Sequence, residues 1–205
     1  MKSKSRIFAL LLAVLTLTAV LFGCSKPKQA EQKAEKVLSE DAKILVVYFS
    51  WSGHLDSMAH WVADEIGADL FRVLAKDAYP EDYNETVNRA KKEQTDGVRP
   101  ALADMLSAEE LAKYDVVFFG FPVWWYDLPM PMYTFLEGID LSGKTVIPFF
   151  SHEGSSNGAN SLPNLEKLAA GAVVKSADAL SVRGSQVAGA EQQVRDWAKA
   201  QLAAK

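Results

Sequence analysis

A chain of 205 residues, 49% hydrophobic and 23% charged, is long enough to bury one sizeable core. Its single cysteine excludes a disulfide scaffold, and its composition excludes both a collagen-like repeat and a disordered chain. A formal charge of −4 and a pI near 5.4 argue against nucleic-acid binding, which normally brings a basic excess.

The chain opens with Lys2, Lys4 and Arg6, then a nearly unbroken apolar run over residues 7–22, then Gly23-Cys24. Charge, apolar stretch and small residue, in that order, make a secretory signal. Sixteen residues is near the lower limit for a helix crossing about 30 Å of hydrocarbon. Leu21-Phe22-Gly23-Cys24 resembles the lipobox of bacterial lipoproteins, in which the signal is cut before the cysteine and the thiol is lipidated. Phe22 departs from that pattern, which prefers a small residue there. The alternative is a plain signal-anchor with an incidental cysteine. Lipidation at Cys24 uses the one thiol in the chain and implies an extracytoplasmic protein held to a bacterial membrane. Removing residues 1–23 leaves 19 of the 22 Lys and Arg against 26 Asp and Glu, a net of −7. Residues 25–42 are polar and charged and read as a tether, so the folded domain spans 43–205.

Within that domain, residues 43–49 (KILVVYF) form a short apolar, β-branched run, the mark of a strand buried on both faces. A small-residue turn follows over 50–55. Asp56 is expected to cap a helix in which Met58, Val62 and Ile66 recur every four residues, and Gly67 stops it. Residues 69–73 are a second, shorter strand, and 83–93 an exposed helix rich in charge. Residues 115–121 (DVVFFGF) are the next strongly apolar strand, after which Pro131 suits the first turn of a helix reaching 137. Residues 145–150 (TVIPFF) make a third buried strand, 162–169 a helix, 173–182 a last strand and 191–202 an amphipathic helix. Five strands alternating with helices predict an α/β fold, a parallel sheet covered on both sides by right-handed crossovers.

Ligands of an open α/β sheet bind beyond the carboxyl ends of its strands. Three loops leave those ends here. Ser50-Trp51-Ser52-Gly53-His54-Leu55 opens onto a helix start, where orphan N–H groups and the helix dipole favour an anion without Lys or Arg. It lacks the Gly-Lys-Ser/Thr of a P-loop and any G-x-G-x-x-G, and such turns are often purely structural. Pro122-Val123-Trp124-Trp125-Tyr126 places three aromatics in succession, so they point in different directions and at least one should reach the surface, suited to stacking on a planar ligand. Alternatively Trp124 or Trp125 seals the end of the sheet as core. Ser151-His152-Glu153-Gly154-Ser155, running on to Gly158, is Gly- and Ser-rich and can bring backbone groups close to a ligand. His54 and His152 should meet at one sheet edge, which leaves a two-histidine metal site conceivable, whereas His60 lies on a polar helix face.

With these loops in place, YFSWSGH, GFPVWWYDLPMPMYTFLE and GKTVIPFFSHEGSSNG resemble the flavodoxin family, in its bacterial flavodoxin-like branch, over about residues 43–197. The resemblance implies a flavodoxin-like three-layer sandwich with a five-stranded parallel sheet of order 2-1-3-4-5, and FMN as cofactor. Carried over by position, Ser50, Ser52, Gly53, His54 and Leu55 would wrap the FMN phosphate. Residues 122–126 would flank the ring, with Trp124 or Trp125 stacking, and 151–158 would line its other edge. His54 and Leu55 stand where the family usually has Asn and Thr. Loss of a hydroxyl to a charged phosphate at Leu55 would cost roughly 1.5–3 kcal/mol. Asp56 would compete with the phosphate for the dipole, and a Glu153 carboxylate near the ring would lower the potential of the anionic hydroquinone couple.

Three functions follow from these features. The first is an FMN-dependent electron-transfer protein docking through its acidic surface to a redox partner protein. The second is an NAD(P)H-fed flavin reductase of a quinone or nitro compound. The third is a non-enzymatic binding lipoprotein whose FMN site has decayed.

Overall fold

A computed structural model of the chain describes residues 43–154, 158 and 160–203. The expected leader (1–23), the lipidation residue Cys24, the tether (25–42) and Ser155 lie outside the described residues.

Alternation of buried strands and capped helices gives β1 (Ile44–Tyr48), α1 (His54–Ile66), β2 (Asp69–Arg72), α2 (Tyr83–Asp96) and a short α3 (Ala108–Leu111). There follow β3 (Val116–Pro122), α4 (Met130–Glu137), β4 (Thr145–His152), α5 (Ser161–Leu168), β5 (Val173–Val174), β6 (Leu180–Arg183) and α6 (Glu191–Ala203). Helix α1 stops at Gly67, whose left-handed backbone (φ 65°) closes the last turn. Helix α3 was not anticipated, although Ser107-x-x-Glu110 is a capping box and forms one: the Ser107 side chain accepts from the Glu110 N–H, and the Glu110 carboxylate accepts from the Ser107 N–H.

All strand pairs are parallel, in the order β2-β1-β3-β4-β5, which is the predicted flavodoxin-like order. The fifth position departs from the single strand expected over 173–182. It divides into β5, beside Thr145 and Val146, and β6, beside residues 149–152, with a 3₁₀ turn (Ser176–Asp178) between them. Pro148 explains the division. Even-numbered β4 residues turn their backbone groups toward the fifth strand, as when Lys175 N–H donates to Val146 O at 2.8 Å. Pro148 offers no N–H on that side, so the ladder is interrupted there.

The sheet buries both faces, as its continuous apolar strands require. Leu45, Val47, Phe119, Phe121 and Phe150 face α4 and α5, meeting Met132, Phe135 and Leu165. Val46, Tyr48, Phe118, Ile147 and Phe149 face α1 and α6, meeting Leu55, Met58, Val62 and Val194. The carboxyl ends of β1, β3 and β4 thereby open at one rim.

Candidate functional site

At that rim a cavity of about 600 Å³ is lined by all three loops: Trp51, Ser52 and His54 from the first, residues 122–126 from the second, and residues 151–154 from the third. Its size falls within the usual range for a small-molecule or cofactor site. A fourth wall was not foreseen. Tyr83, Thr86, Val87 and Ala90 of α2 face the same space, on a helix that read as an exposed, charged surface. The Pro80 carbonyl ties this helix to the first loop, accepting from Trp51 Nε1 at 2.8 Å and from Thr86 Oγ1 at 2.7 Å.

The first loop ends on Gly53 with φ 89°, a left-handed conformation glycine adopts without strain. Gly53 rather than Asp56 is the N-cap of α1, and it gives no side-chain cap to the first-turn N–H groups. Asp56 sits inside the first turn, where its carboxylate accepts from Tyr48 O–H at 2.8 Å and pairs with Arg72 at 3.2 Å. Arg72 offsets part of its charge, while the carboxylate stays in the first turn of α1. Ser50 is buried, and its hydroxyl has no hydrogen-bond partner among the described residues. An unpartnered buried hydroxyl in the loop that leads to an uncapped helix start fits an anionic group.

The Leu55 side chain does not line the cavity. It is 1% exposed and packs into the α1–α6 core with Met58 and Val62. A threonine there would carry its hydroxyl into an apolar core. Gly158 also lies outside the cavity: a Cβ there would come 2.9 Å from the Phe150 ring, so glycine permits that close approach.

In the second loop the three aromatics part company. Trp124 is half-buried and edge-on to Tyr79 and Phe49, with ring centroids 5.1 and 5.3 Å away. Trp125 and Tyr126 are exposed, at 41% and 55%. Trp125 donates through Nε1 to Val87 O at 3.2 Å, and Lys91 Nζ lies 4.8 Å over its ring. In the third loop Glu153 has a counter-ion that sequence reading did not anticipate, Arg183 at 3.7 Å. A Cβ on Gly184 would stand 2.1 Å from Glu153 Oε1 and 2.8 Å from His54 Nδ1, so the first and third loops meet across that glycine. Among the described residues no group of three or more His, Cys, Asp and Glu could hold a metal ion. His60 is exposed, its Nδ1 2.8 Å from the Asp56 carbonyl.

The Flavodoxin family model matches residues 43–200, the four-walled cavity included. The chain belongs to the flavodoxin family. Two solved structures share this flavodoxin-family fold at the 30% level: a candidate flavoprotein from Bacteroides eggerthii (31% identity, TM-score 0.63, covering 80% of this chain and 100% of that one) and another from Bacteroides uniformis (30%, TM-score 0.64, 77% and 98%). A flavoprotein from Lactobacillus acidophilus, solved in complex with FMN, is 25% identical with a TM-score of 0.55, covering 72% of this chain and 97% of that one.

Two tyrosines, Tyr48 in β1 and Tyr114 at the amino end of β3, give this flavodoxin-family fold a pH signature. Burial first, then the bond to Asp56, pushes the Tyr48 hydroxyl up to about 12, and burial with Asp69 does the same for Tyr114. Both lie above the usual value near 10. Their contribution to stability is therefore full below about pH 10 and is lost as the pH rises through about 12. Chemical denaturation should give a flat stability from pH 7 to 9 and a fall beyond about pH 10, smaller in Tyr48→Phe. A fall already complete at pH 9 would contradict the placement of these hydroxyls.

Proposed function

We propose that the protein binds FMN at this rim and carries electrons between redox partners, held outside the cytoplasm by a lipid on Cys24. The Ser50 hydroxyl carries the reading: it is buried, has no partner among the described residues, and sits behind the cavity-lining Trp51 and Ser52 in the loop that leads to the uncapped start of α1. The first-turn N–H groups and Ser52 would hold the phosphate. Trp125 and Tyr126 offer exposed aromatic faces for the ring, while Trp124 backs them from the core side. Residues 151–154 would supply polar groups to the ring edge. Bound flavin supplies one- and two-electron chemistry, and the chain's own residues orient it and exclude water around it. The acidic surface suits a basic redox protein, and the open mouth also suits a small acceptor such as a quinone.

The purified chain should show the visible absorbance of bound flavin, or acquire it on adding FMN. A chain that remains colourless with excess FMN ends the proposal. Ser50→Ala separates the hydroxyl's roles. Without ligand the variant should be as stable as the parent or more so, since an unpartnered buried hydroxyl is removed. FMN affinity should fall by roughly 1.5–3 kcal/mol, or about 10- to 150-fold, measured by quenching of flavin fluorescence.

A further inference from the structure

The backbone of the second loop is unusual. Trp124 N–H donates to Asp127 O at 2.9 Å and Asp127 N–H donates back to Trp124 O at 3.0 Å, so Trp125 and Tyr126 are the central pair of a two-residue turn. Both have positive φ, 49° and 65°, and they are the only non-glycine residues with positive φ among the described residues. That is the mirror-image turn that Asn-Gly adopts readily and bulky side chains resist. Both rings are exposed, so burial offsets little of the strain, and the Trp125 ring is steadied from α2 by its bond to Val87 O and by Lys91.

Further contacts from three helices hold the main chain of the turn. Gln94 of α2 donates to Trp125 O at 3.2 Å, and Asn160, just before α5, donates its N–H to Tyr126 O at 3.1 Å. The Asp127 carboxylate gathers the remainder. It accepts from Leu128 N–H at 2.7 Å, from Tyr133 O–H of α4 at 2.9 Å, and from Asn164 Nδ2 of α5 at 3.0 and 2.9 Å to its two oxygens. A carboxylate with donors from its own loop and two helices fixes the exit of the turn. An exposed pair forced left-handed at a cavity mouth is strain retained for what the rings do there.

We propose that Asp127 is a positioning residue that clamps the Trp125–Tyr126 turn in its strained conformation, so that both rings stand preset at the cavity mouth before the flavin arrives. This rests on the FMN reading above. Preset rings lower the ordering cost of binding, and the ligand-free protein is less stable than a relaxed turn would make it.

The test is a cycle in the full-length chain: Tyr126→Gly, Asp127→Ala, the double variant and Asp127→Asn, each measured for ligand-free Tm and for FMN affinity. Tyr126→Gly should raise Tm by about 2–4 °C and weaken FMN about tenfold or more, effects of opposite sign that a merely structural role would not produce. Asp127→Ala should lower Tm and weaken FMN. The double variant should recover most of that Tm, because a relaxed turn needs no clamp, without recovering affinity. Asp127→Asn, which keeps one acceptor oxygen, should fall between parent and alanine variant in both. Tyr126→Gly that lowers Tm, or leaves FMN affinity unchanged, overturns the proposal, and so does a double variant whose losses in Tm simply add. If the parent chain takes up no FMN, the function reading and the flavin half of this proposal fall together, and the Tm cycle alone decides whether the turn is clamped under strain.

Discussion

Glu93→Ala should destabilise the protein by about 3–5 kcal/mol, the usual effect of removing one partner from a buried charge pair. Glu93 is 8% exposed on α2, and both its oxygens are engaged: Oε1 accepts from Arg89 Nε at 2.8 Å, and Oε2 from the Tyr79 hydroxyl. Arg89 also lies 4.0 Å over the Tyr79 ring and donates to Asp77 O and Ala78 O, fastening the loop before α2 to the helix. Tyr79 in turn meets Trp124 edge-on. Losing the carboxylate takes from Arg89 its counter-ion and from the Tyr79 hydroxyl its acceptor, so the damage reaches the cavity from behind. Thermal denaturation should place Glu93→Ala about 10 °C or more below the parent, with Glu93→Gln between them because it keeps one acceptor. Equal Tm values for parent and alanine variant would show that the network is solvated and of little weight.

Gly120→Ala is the second large effect, at about 3 kcal/mol. Gly120 lies in β3 opposite Tyr48 on one side and Phe149 on the other. A Cβ there would come 2.4 Å from Phe149 Cζ and 2.6 Å from its Cε2. The Phe149 ring is fully buried, with the Trp197 ring centroid 6.1 Å away, so it cannot swing aside cheaply. Urea denaturation should show a lowered midpoint with an unchanged slope. Gly120→Ala combined with Phe149→Leu should recover part of the loss, and a loss untouched by that relief would place the strain elsewhere.

The apolar runs behind β1, β3 and β4 were legible because a strand buried on both faces carries no polar alternation. Positions of the three loops followed from strand polarity alone. The fifth strand misled because a run over 173–182 has suitable residues, while the cause of its division sits in β4, at Pro148. Burial of the Leu55 side chain was legible too. Leu55 stands three residues before Met58 and seven before Val62, the spacing of the buried α1 stripe, which outweighs its place in the loop. The α2 wall was hidden because Tyr83, Thr86, Val87 and Ala90 are interleaved with Asn, Glu, Arg and Lys, and only the tertiary fold turns that face inward. Left-handed φ at Trp125 and Tyr126 runs against local preference, so no local rule could have announced it.

Pro148 reaches beyond its own strand. By ending β5 early it lets β6 restart alongside residues 149–152, so the end of β4 is paired on both flanks up to Ser151 and with β6 up to His152, directly beneath the third loop. That jaw of the cleft is a ladder of main-chain bonds. The opposite jaw, α2, hangs on side-chain hooks at Tyr79, Thr86 and Glu93. Breathing that admits a cofactor therefore belongs to the helical jaw, and its amides should exchange with solvent well before those of the braced strand.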